Sequence, residues 1–156
     1  MIRVLVLQGP NLNLLGTRQP EIYGHQTLHE LQVEIQHWAL ELGLEVVNFQ
    51  SNHEGALIDR IHEHDFDAAI VNAGGLTHTS VALRDALLAV NRPFVEVHLS
   101  DPTTREPFRR VNFLADIAID RIYGKGPEGY RLALEVIARR FGAVPGSSGG
   151  PHRTGR

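Results

Sequence analysis

Apolar residues along the chain fall alternately into short unbroken runs and into helical spacings, and that alternation predicts the fold. Ile2 to Leu7 is a near-continuous apolar run of strand length containing Val4 and Val6, the mark of a strand covered on both faces. A long polar, glycine-containing stretch follows. Thr27 and Glu30 then have capping-box spacing, and Leu31, Ile35, Trp38 and Leu42 recur at helical intervals until Gly43 ends the helix. Leu44 to Gln50 predicts a second strand. Ser51 and Glu54 repeat the capping-box spacing before a short helix lined by Leu57, Ile58 and Ile61 and ending near His64. Asp67 to Val71 predicts the third strand, Ser80 to Val90 a helix that buries Leu83, Leu87 and Leu88, and Phe94 to Leu99 the fourth strand. A polar stretch with a turn of helix leads to a fifth strand, Ile117 to Tyr123. Pro127 opens the last helix, with Tyr130, Leu134, Ile137 and Phe141 on one face.

Five apolar strands separated by helices require crossover connections, which are right-handed and give a parallel sheet with helices on both faces. The expected architecture is a doubly wound α/β fold with a five-stranded parallel sheet of order 2-1-3-4-5, whose switch point lies between the first and third strands. Residues 1–143 read as one domain. The tail from Val144 (VPGSSGGPHRTGR) has little to bury and is expected to be disordered.

Composition narrows the chemistry. At 156 residues the chain suits a single domain, and it has no cysteine, which removes thiol nucleophiles, disulfides and cysteine-metal sites. Net charge is −3 with no basic stripe, so nucleic acid is not an expected partner. The apolar part of Met1 to Leu7 is too short for a signal or a membrane span, so a soluble cytoplasmic protein that does not engage membranes is expected. Of the 15 cationic side chains only Lys125 is a lysine, in a Gly-Lys-Gly turn, which leaves Schiff-base chemistry a single, poorly placed candidate. No metal is expected. His62 and His64 diverge on a helix, and no H-x-x-x-H, H-E-x-x-H or acidic ligand run occurs.

Ligands of open parallel sheets bind beyond the carboxyl ends of the strands, so the segments after strands 1, 3 and 4 matter most. About nineteen residues separate strand 1 from its helix, where two to six are usual, which suggests a lid or binding loop. Gly9 and Gly16 do not form a phosphate-binding fingerprint, and Pro10 removes a backbone donor. A phosphoacceptor domain of this topology would want an aspartate where Asn72 stands. The loop does offer Asn11, Asn13, Arg18 and Tyr23. Taken singly, these read as turn-formers, a solvated cation and a ring covering the core. Strand 4 is different, because alternation places Glu96 and His98 on one face at the ligand end, and a buried glutamate is costly without a partner.

These segments assemble into blocks: Gly9-Pro10-Asn11-Leu12-Asn13, Gly16-Thr17-Arg18, Pro20-Glu21-Ile22-Tyr23-Gly24, Asn72 through Ala86, Glu96-Val97-His98-Leu99-Ser100 and Arg105-Glu106-Pro107-Phe108-Arg109-Arg110. In that order, from about Ile2 to Phe141, the chain strongly resembles type II 3-dehydroquinate dehydratase, a flavodoxin-like fold. Four positions depart from the usual pattern: Gln8 for Asn, Asp101 for Asn, and Val111-Asn112 for His-Ser. The resemblance implies anti elimination of water from 3-dehydroquinate through an enolate, giving 3-dehydroshikimate in the shikimate pathway, with no cofactor and no imine. It implies Tyr23 as base, with Arg18 favouring its phenolate, and Asn11, through a held water, as enolate stabiliser. His98 becomes the general acid and Glu96 orients its ring. Asn72 and the backbone N–H groups of Leu99 and Ser100 would meet the substrate carboxylate, and His78 and Arg109 its hydroxyls. Asp85 would reach a neighbouring subunit's site in a homo-oligomer, trimers forming a dodecamer. The alternative is a non-catalytic binding module on the same scaffold, from which at least one of Asn11, Arg18, Tyr23 and His98 would be expected to be missing. All four are present.

Overall fold

The computed structural model describes residues 1–17 and 19–143, with Ile22 and Tyr23 given by their backbone alone. Arg18, the Tyr23 side chain and the tail from residue 144 therefore lie outside the described residues. The strands are β1 (Ile2–Gln8), β2 (Leu44–Gln50), β3 (Ala68–Asn72), β4 (Phe94–His98) and β5 (Asp120–Tyr123). The helices are α1 (Pro20–Tyr23), α2 (Leu28–Glu41), α3 (Glu54–His62), α4 (Val81–Val90) and α5 (Glu128–Phe141), with short 3-10 turns in the segments that follow β1, β3 and β4. All strand pairs are parallel, and the order is β2-β1-β3-β4-β5. The doubly wound expectation holds.

Alternation along the strands divides the core in two. Val4, Val6, Ile70, Val95 and Val97 face α2 and α5, where they meet Leu31, Ile35, Leu134 and Ile137. Leu5, Leu7, Val71 and Phe94 face the other way and pack with Leu57 and Ile61 of α3 and Leu83 and Leu87 of α4. Each fully buried Leu or Ile contributes about 1.5–3 kcal/mol of transfer free energy, so both layers hold the central strands. The same parity sets the polar residues at the strand ends. Gln8 and Asn72 continue the α5 side, whereas Glu96 and His98 continue the α3/α4 side.

Several local expectations are corrected. Thr27 does begin α2: its Oγ1 accepts from Glu30 N–H at 3.1 Å, while Glu30 Oε1 accepts from Thr27 N–H at 3.0 Å. Ser51 and Glu54 form no such box. Ser51 Oγ accepts from His53 N–H at 3.0 Å, and Glu54 instead accepts a bond from Ser80 Oγ. The third strand extends one residue further than expected, so Asn72 belongs to it. The fifth is shorter and partly exposed, because Ile117 and Ala118 reach the core from a turn rather than from a strand. Leu88 is 48% exposed rather than buried.

Candidate active site

At the carboxyl ends of β1, β3 and β4 a cavity of about 150 Å³ opens over the switch point. The segment after β1 contributes Asn11, which adopts a left-handed backbone at φ 73°, a conformation asparagine tolerates well. Its N–H donates to Asn52 Oδ1 at 2.9 Å, and Gln50 Nε2 donates to Gly9 O at 3.1 Å, so the end of β2 braces this loop. Gly9 is required here because a Cβ would stand 2.4 Å from the carbonyl oxygen of Ala73.

Asn72, at the end of β3, is almost fully buried and lines the cavity. Its Nδ2 donates to Tyr130 Oη at 2.8 Å and its Oδ1 accepts from Gly74 N–H at 3.2 Å. Tyr130 in turn donates to Gln8 Oε1 at 2.7 Å. Those bonds account for Oδ1 and one of the two amide hydrogens, so what Asn72 has left to offer the cavity is an N–H, a donor suited to a carboxylate or hydroxyl.

His78 follows in the 3-10 turn after β3. Its Nδ1 lies 2.6 Å from the carbonyl of Val111, and because a carbonyl only accepts, Nδ1 carries the hydrogen. Burial, together with the charges of His98 and Arg109, lowers its pKa against the opposing pull of the Val111 bond. The neutral ring then presents Nε2 as an acceptor.

β4 supplies the most demanding pair. Glu96 is fully buried, and its Oε2 accepts from His98 Nε2 at 2.6 Å. Burial raises the carboxyl's pKa. The hydrogen bond from His98, its positive charge, and bonds from Asn112 and Tyr123 outweigh that cost and leave the group below the ordinary glutamate value. His98 lines the cavity, stacked at 6.4 Å from the His78 ring. With Nε2 committed to Glu96, Nδ1 is the ring nitrogen available for proton transfer.

The rest of the rim comes after β4. Leu99 and Ser100 line the cavity, their carbonyls held by Gly126 N–H at 3.0 Å and Gly124 N–H at 3.1 Å. Arg109 also lines it, with Nε donating to Glu106 Oε1 at 2.5 Å. Asn11, Asn72, His78, His98, Leu99, Ser100 and Arg109 thus line one cavity, with Glu96 bonded to His98 behind it. Asp85, expected at a neighbouring subunit's site, lies on the exposed side of α4 and does not line this cavity. Arg105 lines the cavity without having been singled out, and Tyr130, Asn112 and Tyr123 stand behind it. Tyr130 reads in sequence only as a core residue, and Asn112 only as a departure from a pattern. Among the described residues, no three histidine or acidic side chains converge to hold a metal ion, and no helix is long and apolar enough to cross a membrane.

Known proteins match this chain along most of its length. Residues 2–138 match the family model described as Dehydroquinase class II. A 3-dehydroquinate dehydratase of Sodalis glossinidius is 54% identical over 140 residues, covering 88% of this chain and 93% of that protein. One from Francisella tularensis subsp. novicida is 53% identical over 131 residues, covering 84% and 90%. Among solved structures, a type II dehydroquinase from Propionibacterium acnes superposes with a TM-score of 0.85 at 36% identity, over 88% of this chain and 97% of that one. With the fold, the cavity and these likenesses in agreement, the chain belongs to the class II dehydroquinase family.

Proposed function

We propose that this chain is a 3-dehydroquinate dehydratase that removes water from its substrate by anti elimination through an enolate, without an imine or a metal. The observation that carries the reading is the buried Glu96 carboxylate bonded to His98 at 2.6 Å, on a cavity that Asn72 and His78 also line. That constellation offers a proton donor for a leaving hydroxyl, an amide N–H for a carboxylate and a neutral imidazole acceptor for a ring hydroxyl.

In the proposed reaction the Tyr23 phenolate takes a proton from the carbon beside the ketone. The electron pair moves onto the ketone oxygen, giving an enolate that Asn11 stabilises through hydrogen bonding. Collapse of the enolate expels the β-hydroxyl, which leaves as water with a proton from His98 Nδ1. Tyr23 needs help to ionise. Lowering a phenol from about 10 by two units takes about 2.7 kcal/mol, a load one close guanidinium such as Arg18 can carry. Backbone N–H groups of Leu99 and Ser100 join Asn72 on the carboxylate, and Arg109 joins His78 on the hydroxyls. Lys125, the sole lysine, is exposed and outside the cavity, which suits a route without an imine.

The same reading includes a cytoplasmic homo-oligomer, trimers forming a dodecamer, with Asp85 on the exposed side of α4 reaching a neighbour's cavity. Light scattering tests the assembly. The deciding experiment for the activity follows enone absorbance with dehydroquinate, wild type beside Tyr23→Phe. Turnover should fall by orders of magnitude in the variant with little change in KM, and wild-type activity should withstand a chelator and borohydride. No enone from wild type would refute the activity, and equal loss in kcat and binding would make Tyr23 structural.

A further inference from the structure

The Glu96 carboxylate is held by more than its histidine. Its Oε2 accepts from Asn112 Nδ2 at 2.7 Å as well as from His98 Nε2, and its Oε1 accepts from Tyr123 Oη at 3.0 Å. The three donors come from β4, from the loop before β5, and from β5 itself. Neither added donor can easily turn away. Asn112 Oδ1 already accepts the N–H groups of Leu114 at 2.8 Å and Ala115 at 2.9 Å, which fixes the amide with Nδ2 toward Glu96. Its other amide hydrogen goes to Tyr123 Oη at 3.2 Å, so the whole hydrogen-bonding capacity of Asn112 is committed. Tyr123 stands beside His98 because the β4–β5 register pairs those two residues, and the rings meet edge-on at 5.4 Å. Having accepted from Asn112, the Tyr123 hydroxyl spends its hydrogen on Glu96.

We propose that Tyr123 and Asn112 are positioning residues for the dehydration: they clamp Glu96 so that Oε2 meets His98 Nε2–H, leaving Nδ1 as the nitrogen His98 offers the cavity. The proposal rests on the dehydratase reading for its kinetic consequence, though not for the clamp itself. Burial and the adjacent Glu96 carboxylate push the Tyr123 phenol upward, so it serves as a donor and not as a second anion. Among the described residues, the other charged or titratable groups around the pair are His78 from the turn after β3, Asp101, Arg105 and Arg109 from the loop after β4, and Arg121 from β5.

The test follows the Glu96 Cδ resonance by ¹³C NMR across pH in wild type and Tyr123→Phe, beside the pH dependence of turnover. Removing one donor to a buried carboxylate should raise its midpoint by about one pH unit, and the acid limb of kcat should move up with it. At the plateau, kcat should fall about tenfold with KM within about twofold. Asn112→Asp keeps the acceptor for Leu114 and Ala115 but turns an oxygen toward Glu96, so its shift should be larger, and it replaces Tyr123→Phe should that variant not fold. An unmoved Glu96 midpoint would overturn the proposal, as would a fall in kcat matched by a rise in KM and a lower Tm. If wild type forms no enone, the proposed activity fails and the carbon titration alone decides whether the clamp exists.

Discussion

Asn72 and Tyr130 stand 58 positions apart in the chain and are joined by a buried hydrogen bond of 2.8 Å. The bond ties the last residue of β3 to the first turn of α5, and Tyr130 extends the tie to Gln8 at the end of β1. Three elements thereby agree on the direction of one amide.

Tyr130→Phe should cost about 1–3 kcal/mol in urea unfolding, because Asn72 Nδ2 and Gln8 Oε1 would lose their buried partner. Burial pushes the Tyr130 phenol up to about 12, so the hydroxyl remains a donor throughout the range of the measurement. Freed to rotate, the Asn72 amide should also raise KM for an acidic substrate. Unfolding identical to wild type would show that the hydroxyl bonds are idle.

The pair in β4 makes stability depend on pH. The folded-state pKa of Glu96 lies below the unfolded value of 4.5, so its contribution is complete above that value and is lost as pH falls through the folded one. Glu96→Gln should be less stable by about 3 kcal/mol near neutrality, since its amide cannot satisfy three donors. The gap in Tm between the two proteins should hold from neutral down to about pH 5 and narrow only as the pH falls below 4.5 toward 3. A gap that stays constant would mean that Glu96 is not ionised in the folded protein.

His78 titrates in the same sense. Burial, with the nearby His98 and Arg109, places its folded pKa below the usual 6.5, so its stabilising contribution is present above 6.5 and lost as pH falls through the folded value. Proton NMR of the His78 ring should find that lower midpoint. KM for dehydroquinate should rise on the acid side, where Nε2 gains a hydrogen and can no longer accept one. A midpoint at or above 6.5 would contradict the neutral-acceptor role.

Gly9→Ala tests the closeness of the two loops that flank the switch point. Its new methyl would meet Ala73 O at 2.4 Å and Ala73 C at 2.6 Å, both backbone atoms that cannot step aside. A loss of at least about 3 kcal/mol is expected by thermal or denaturant unfolding. Gly75→Ala is the control, because nothing lies within 4 Å of its added carbon.

The parallel sheet and the shared face of Glu96 and His98 are both legible in sequence, because each follows from a local rule: apolar runs separated by helices in the first case, a period of two in the second; the strand order follows as the commonest arrangement of five such units. Asn112 and Tyr123 are not legible in that way. Their meeting with Glu96 depends on the register between β4 and β5 and on the turn that caps Leu114 and Ala115, and neither leaves a periodic trace. The Ser51–Glu54 spacing misleads for a related reason. Glu54 finds its partner in Ser80, a residue from another element, which no local spacing announces. Ile117 and Ala118 resemble strand residues because a turn that drops onto the core needs the same apolar character as a strand within it.

The reciprocal cap of Thr27 and Glu30 also bears on how this fold can change. Since α2 draws its first turn from its own two residues, the geometry of the chain just upstream does not have to be right for the helix to start in the right place. Substitutions between Thr17 and His25 should therefore leave α2 starting where it does, whatever they do to the chemistry proposed for Arg18 and Tyr23.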